Sequence, residues 1–382
     1  MLGKAKGMAM KCTAWVSALI LWAIVLTGVD ASAGQFKHAL YYHAGQRPYA
    51  VVATQLTSSG NLDLVVADAT SQIFVLLGNG DGTFQKPMKF SLPNPVALAV
   101  GDFNDDGKED LAVVEYGGTG ESAVAILLGD GTGKFRQSGS YPSGVETTGV
   151  AVSDFNGDGH SDVAVANNSG NVMVFFGTGK GTLKKPATYK LAGTNPYGIA
   201  AGDVSGDGHP DLAVAEASVG SVAILINDGT GKFKKPVSYN ISGSGTVDVK
   251  IADLRHNGSE DLVVADLAEG MVVLLNNGDG TFGKPTIYPP TCQNCVAPEA
   301  CVVADFNLDG HLDVACATSI DDSYLFYGDG KGNFGSSIPI HDAINFQGGF
   351  SIAAGDFNND KAPDLAIPIE AKGRVAILLN AK

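Results

Sequence analysis

The segment DFNGDGHSD, residues 154–162, places an oxygen-bearing side chain at its first, third, fifth and ninth positions and a glycine at its sixth. That spacing suits a hard cation. Calcium takes six to eight oxygens, which Asp154, Asn156, Asp158 and Asp162 would supply with the main-chain carbonyl of position 7, and the glycine permits the left-handed turn. Three more complete sets occur: Asp102/Asn104/Asp106/Asp110, Asp203/Ser205/Asp207/Asp211 and Asp305/Asn307/Asp309/Asp313. A fifth, Asp356/Asn358/Asp360/Asp364, keeps its oxygens but has Lys361 for the glycine, a strain of about 1 kcal/mol, and is expected to bind more weakly. A helix-flanked calcium hand would need glutamate at position 12, where the four complete loops have Val113, Val165, Val214 and Cys316, so these are hairpin loops. In DLRHNGSED, Arg255 stands where a ligand should be, and Asp253 and Asp261 are expected to pair with it. QLTSSGNLD, ending at Asp63, has lost most donors and reads as empty. The alternative to metal is a set of acidic Asx turns, against which stands the repulsion among so many carboxylates. His160, His209 and His311 all hold position 7; a catalytic or transition-metal imidazole is one reading, and a residue that offers only its carbonyl is the reading adopted.

Measured at the closing aspartate, the copies fall at Asp63, Asp110, Asp162, Asp211, Asp261, Asp313 and Asp364, in steps of 47, 52, 49, 50, 52 and 51 residues. A period of that size means a repeat architecture, and seven units fill nearly all of the 382 residues without a linker. Within residues 196–240 the pattern is a short strand of small residues, the loop, the apolar run DLAVAE, then SVAILIN, a DGTG turn and KFKKPVSYN. This reads as four strands joined by tight turns. The Lys-Pro pairs ending at Pro87, Pro186, Pro236 and Pro285 are assigned to the fourth strand, because proline belongs on an edge. A sheet running from a crowded inner strand to an exposed outer one is a propeller blade. The last repeat stops after its third strand at RVAILLNAK, and residues 34–42, GQFKHALYY, match the missing outer segment GKFKKPVSY of residues 231–239. The N-terminal strand is therefore expected to complete the last blade and close the ring. The fold class is all-β, a seven-bladed propeller of four-stranded blades.

The loop pattern DxNxDGxxD followed by an apolar strand resembles the FG-GAP or VCBS repeat of integrin α-subunit propellers and of many secreted bacterial proteins. The resemblance covers about residues 35–382, on six of seven copies. It implies a seven-bladed propeller with calcium between the first and second strands, and it implies no activity.

Lysines at Lys4, Lys6 and Lys11, an apolar run from Thr13 to Val29 and then Ala31-Ser32-Ala33 have the order of a secretory signal, residues 1–33, with the propeller spanning 34–382. An uncleaved anchor is the alternative, for which the run is marginally short. Localisation is accordingly expected to be secreted (extracellular, cell surface or periplasm), with no membrane contact after cleavage. The net charge of −15 becomes −17 without that segment, which carries three lysines and one aspartate, so nucleic acid is not an expected partner. The four remaining cysteines crowd into residues 292–316. Strands flanking the sixth loop would set Cys301 opposite Cys316, leaving Cys292 with Cys295; a zinc site is the competing assignment.

Five residues beyond each closing aspartate stand Asp68, Glu115, Asn167, Glu216, Asp266, Thr318 and Ile369, on the face opposite the metal loops. These acids could hold a cation or sugar hydroxyls, or simply cap turns. Longer loops at 191–198, 289–300 and 341–350 reach the same face, and Tyr42, His43, Arg47, Tyr197, His341 and Phe346 are candidate contacts there. No Ser/His/Asp order, nucleophile elbow or HExxH motif occurs, and the acids repeat with the blades rather than gathering in one cleft. The expectation is a secreted, monomeric, calcium-binding module for an extracellular protein or glycan, with Ca2+ as cofactor and no catalysis. A polysaccharide lyase or hydrolase, or a lectin, is the alternative.

Overall fold

Each closing aspartate opens a run such as DLVVAD or DLAVAE whose residues are buried throughout, the signature of a strand covered on both faces. In the computed structural model, which describes residues 35–37, 39–118, 120–291, 298–319, 322–340 and 349–382, that run is the second strand of a blade. The described strands form seven antiparallel sheets of four. The blade at 196–240 is typical: inner strand Pro196–Gly202, then Asp211–Glu216, Ser221–Leu225 and outer strand Val237–Asn240. The prolines of the Lys-Pro pairs lie one residue before their outer strands, which begin at Met88, Ala187, Val237 and Thr286. The assignment of proline inside the strand is corrected to its entrance, where no ladder N–H is needed.

Apolar burial is divided among seven clusters, each between two neighbouring blades: Leu212, Val214 and Leu225 meet Phe155, Ala164 and Val174, for example, and Leu262, Val264 and Leu274 meet Ala213, Val222 and Ile224. Every blade is thus a sandwich filling for its neighbours. Removing one large residue from such a layer costs about 2–5 kcal/mol. Polar staples tie the same neighbours. The outer-strand hydroxyls of Tyr141, Tyr189 and Tyr239 accept N–H groups of Leu183, Phe233 and Phe282 in the next blade, at 3.0–3.3 Å. In the reverse direction the amides of Asn227, Asn276 and Asn380 donate to loop carbonyls of the preceding blade, at Phe155, Val204 and Phe306.

The ring closes as the repeat alignment requires. Strand Leu40–His43 pairs with Arg374–Leu378, with Leu40 opposite Ile377 and His43 opposite Arg374. Ahead of it Phe36 bridges Asn380, and Gln35 donates to the Phe306 carbonyl at 2.6 Å and accepts from the Tyr327 hydroxyl at 2.6 Å. Tyr42 then makes the last blade's staple, accepting the Phe84 N–H of the first at 3.0 Å. Cys301 and Cys316 face each other across strands Ala300–Ala304 and Asp313–Ala317 and form the expected disulfide. The segment read as a secretory signal, and Cys292 and Cys295 with their expected pairing, lie outside the described residues. Among those described, no helix is long and apolar enough to cross a membrane.

Because the last blade borrows its outer strand from the other end of the chain, a version beginning at Ala44 should lose cooperative unfolding in calorimetry. Tyr42→Phe, which leaves the Phe84 N–H unpaired, should lower stability by about 1 kcal/mol in urea titrations. A truncated protein that melts like the full ring would refute the closure.

Candidate functional site

The loops between first and second strands are organised by two aspartates. In all six acidic loops the N–H groups of positions 5 and 6 donate to the carboxylate of position 1: for 154–162, Asp158 N–H to Asp154 Oδ1 at 3.1 Å and Gly159 N–H to Oδ2 at 2.8 Å. Asp102, Asp203, Asp253, Asp305 and Asp356 are held the same way. The wrap bends left-handed twice, at position 6 (Gly159, φ 85°) and at position 4 (Gly157, φ 70°), and non-glycines tolerate the same conformation at Asp105, His256, Leu308 and Asn359. Lys361 adopts φ 76° in the seventh loop, the strained turn expected of it, with its N–H on Asp356 at 2.8 Å.

The third and fifth positions complete this turn. The Asp158 N–H goes also to the side-chain oxygen of Asn156, at 2.9 Å. The N–H groups of Asp106, Asp309 and Asp360 are shared in the same way with Asn104, Asn307 and Asn358, at 2.8–3.0 Å. The oxygens of positions 1 and 3 therefore lie side by side in these loops. The amide NH2 groups of Asn104, Asn307 and Asn358 turn to the position 5 carboxylates, reaching Asp106 at 3.3 Å, Asp309 at 2.9 Å and Asp360 at 2.8 Å. In the fourth loop the Ser205 hydroxyl takes that place, 3.4 Å from Asp203 Oδ1. Each position 5 carboxylate (Asp106, Asp158, Asp207, Asp309 and Asp360) in turn accepts the N–H of position 7, at 2.9–3.1 Å.

The ninth position has a role the spacing does not reveal. Asp162 is fully buried, accepting Phe155 N–H from the loop at 3.0 Å and Gly177 N–H from the end of the third strand at 2.7 Å, one on each oxygen. Asp110, Asp211, Asp313 and Asp364 do likewise. So does Asp63, with Leu56 and Gly78 as donors, in the loop that has lost its other oxygens. The closing aspartate is therefore a clamp in its own right. Burial pushes the carboxyls of Asp110, Asp162, Asp313 and Asp364 up to about 6 against the pull of those N–H groups, and neighbouring loop carboxylates add to the rise. In the fifth loop Arg255 replaces that tension with an ion pair, its Nη2 2.7 Å from Asp261 Oδ1 and its Nε 3.0 Å from Oδ2. Asp253 does not join the pair; it accepts the Asn257 and Gly258 N–H groups.

No three His, Cys, Asp or Glu side chains among the described residues gather into a metal-binding group. Positions 1, 3 and 5 are brought together, as Asp102/Asn104/Asp106, Asp154/Asn156/Asp158, Asp203/Ser205/Asp207, Asp305/Asn307/Asp309 and Asp356/Asn358/Asp360, but their side chains are engaged with the turn and with one another. Position 9 is set into the blade instead, because its carboxylate is needed by the third strand. The donors remain a mixture of carboxylate, amide, hydroxyl and carbonyl oxygens, the hard set that calcium prefers, and the repelling carboxylates at positions 1, 5 and 9 fit a cation. His160 Nδ1 lies 2.8 Å from Asp105 Oδ2 of the neighbouring loop.

At the other end of the inner strands, roughly 20 Å away for seven residues, a cavity of 590 Å3 opens on the propeller axis. Fourteen residues before the closing aspartates stand Tyr49, Val96, Thr148, Tyr197, Val247, Glu299 and Phe350, and all seven line it. In five blades the register slips there, between Pro48 and Ala50, Pro95 and Ala97, Thr147 and Gly149, Pro196 and Ile199, and Thr246 and Asp248. Such a bulge frees a residue from the ladder and re-aims its side chain. Tyr49 stacks on Phe350, with centroids 4.9 Å apart and planes at 17°, and Tyr116 joins them from the turn after its second strand. Burial pushes the Tyr49 phenol up to about 12, with Tyr197, Glu299, Glu370 and Tyr116 adding by charge repulsion. Unlike the stapling hydroxyls of Tyr42, Tyr141, Tyr189 and Tyr239, those of Tyr49, Tyr116 and Tyr197 have no hydrogen-bond partner among the described residues.

Of the sequence candidates, Arg47 and Tyr197 line this cavity. Tyr42 and His43 instead sit in the outer strand of the last blade, where Tyr42 is a staple and His43 packs edge-on against Phe74; His341 and Phe346 lie outside the described residues. Of the two readings of the acids beyond the second strands, turn capping describes Asp68, Glu216 and Asp266. Asp68 accepts the Arg47 N–H and the Thr70 hydroxyl, Glu216 the Gly193 N–H and two serine hydroxyls, and Asp266 Ser242, Thr246 and two N–H groups. Tyr49, Glu299 and Phe350 escape a reading that follows the oxygens, since they occupy the column fourteen places upstream, where the repeat breaks its own symmetry.

A model of the FG-GAP-like repeat matches residues 56–113, 102–165, 154–214, 203–264, 253–316 and 305–367, each window running from one loop through the second strand of the next blade. The chain belongs to the FG-GAP-like repeat family. No curated protein matches it in sequence. Among solved structures, the FG-GAP-like chain is similar to an Agrocybe aegerita lectin described as specifically recognising non-reducing terminal N-acetylglucosamine, at 19% identity and TM-score 0.56, covering 85% of this chain and 86% of the lectin. It is also similar to BBS1N in complex with ARL6DN, at 14% identity and TM-score 0.62, covering 91% and 97%. At such identities the likeness is one of fold.

Two outcomes separate clamp from metal ligand in this FG-GAP-like chain. With calcium chelated, the raised closing carboxyls mean that the folded state holds more protons than the unfolded one between about pH 4 and 6. Stability is then highest below that window and falls as pH rises through it; about 5 mM calcium, well above the range for extracellular modules, should reverse the slope in melting scans. Asp63→Asn, in the loop without a donor set, should cost about 1–3 kcal/mol with or without calcium, whereas Asp158→Asn should cost stability only when calcium is present. Equal calcium dependence of both variants would overturn the distinction.

Proposed function

We propose that this propeller is a calcium-braced, non-catalytic binding module that takes a group of an extracellular protein or glycan into its axial cavity. The observation that carries the reading is the departure from sevenfold symmetry at the bulged ring: a structural role would be met by the same small residue in each blade, yet Tyr49, Tyr197, Glu299 and Phe350 line one space, with hydroxyls left over. The expected secretion fits an ambient calcium concentration high enough to fill loops of modest affinity and to stabilise by mass action. Acids that repeat with the blades serve clamps and caps, and the lining described for the cavity lacks a nucleophile paired with a base, which supports binding without turnover. The Agrocybe aegerita lectin, of similar fold, recognises a sugar, and a glycan ligand is in keeping with that.

Chelation should lower the melting temperature of the protein spanning 34–382 by several degrees at pH 7, and calcium should restore it. Glycan and protein arrays probed with the calcium-bound form should give ligands that Tyr49→Leu no longer binds, without any change in the ligand's covalent structure. Turnover of a captured polysaccharide, abolished by chelation in a protein that stays folded, would replace this reading with an enzyme.

A further inference from the structure

The cavity's charges are unevenly settled. Arg47 pairs with Glu370 at 2.6 Å and Lys250 with Asp248 at 2.9 Å, and Asp248 also accepts the Cys301 N–H at 3.1 Å. Glu299 has no cation and no hydrogen-bond donor for its carboxylate among the described residues. The lining thus carries two cations and two carboxylates, but Arg47 is taken by Glu370 from outside the lining and Lys250 by Asp248, which leaves the Glu299 charge unmatched. The same cavity is lined by electron-rich rings: the Tyr49–Phe350 stack and the two other tyrosines, Tyr116 and Tyr197. An aromatic wall with one unpaired carboxylate attracts positive charge, because the ring quadrupole presents its negative face and the carboxylate supplies the counter-ion. Burial first, and then Tyr197, Glu299 and Glu370, make the Tyr49 phenol harder to ionise than a free tyrosine.

We propose that the axial cavity receives an alkylammonium group, of the kind that ends a lysine side chain, with Glu299 as its counter-ion and Tyr49, Phe350 and Tyr197 as its aromatic surround. The inference rests on the cavity being the binding site. The cavity volume exceeds an ammonium and its stem several-fold, so the bearer's neighbouring atoms enter with it, to pair with the hydroxyls of Tyr49, Tyr116 and Tyr197, which have no partner among the described residues. A neutral sugar would use the hydroxyls and a ring face but would leave the Glu299 charge without compensation.

Isothermal titration of the calcium-bound protein spanning 34–382 with n-butylammonium, capped lysine (N-acetyl-lysine methylamide) and N-acetylglucosamine tests this. Both cations should bind and the sugar should not. Glu299→Gln should weaken capped lysine about tenfold or more, Tyr49→Leu about tenfold, and Tyr49→Phe less than about threefold because the ring face remains; melting scans establish that each variant is folded. Binding that survives Glu299→Gln, or a sugar bound as tightly as capped lysine, overturns the cation assignment. If the cations fail while an array ligand is still lost in Tyr49→Leu, the cation assignment falls and the cavity stands. If array ligands bind Tyr49→Leu unchanged, the cavity itself is not the site.

Discussion

Six of the seven blades depend on a carboxylate that has been taken out of water without a positive partner. Such a group is tolerable inside a protein only where main-chain N–H groups meet it, and each closing aspartate except Asp261 meets at least two, one from its own loop and one from the end of the third strand. That pair of bonds fixes the angle of the loop against the sheet, and the loop in turn holds the first aspartate over its N–H groups. The clamp is costly in electrostatic terms, and the chain relieves the cost in different ways. Arg255 sits directly on Asp261 in the fifth loop, the first loop has shed its other acids, and the remaining loops keep enough oxygens to accept a cation.

Much of this architecture is legible from residue spacing. The fifty-residue period, the four-strand blade, the closure by residues 34–42 and the Cys301–Cys316 bridge all follow from repetition, because whatever must recur in every blade leaves a column that can be read. The loop oxygens are legible as a group, but not their engagements: that Asn104, Asn307 and Asn358 spend their amides on Asp106, Asp309 and Asp360 is a matter of side-chain direction. Partners across blades are harder still. That Tyr189 and Tyr239 staple the next blade is a fact of spatial neighbours some forty residues apart, and the dual hydrogen bonding of Asp162 depends on Gly177, which no local pattern links to it. For Asp68, Glu216 and Asp266 the sequence leaves turn cap and ligand ring both open, and only the hydrogen bonds decide between them.

The axial cavity is hidden from the sequence for a different reason. Its residues are defined by not repeating, and a search for repeats discards them. Tyr49, Thr148 and Glu299 share a column but no chemistry, and the bulges that free Tyr49 and Thr148 from the ladder are main-chain features without a residue signature. A useful rule for such rings is to locate the structural columns first and then ask which remaining column varies most in polarity while staying at the mouth of the inner strands.

Closure by the N-terminal strand also orders events in time. Leu40 finds Ile377 only after nearly the whole chain has been made, so during synthesis the strand at residues 40–43 waits as an unpaired edge while six blades can stack on one another. Loop-closure entropy grows slowly with length, so the delay matters more for kinetics than for final stability: contacts this distant in sequence fold late. An unclosed array would expose the unfinished faces of its first and last blades to other chains, and molecules in that condition can exchange the terminal strand. Crowded refolding therefore favours strand-swapped rings that join a first strand from one molecule to a last blade from another.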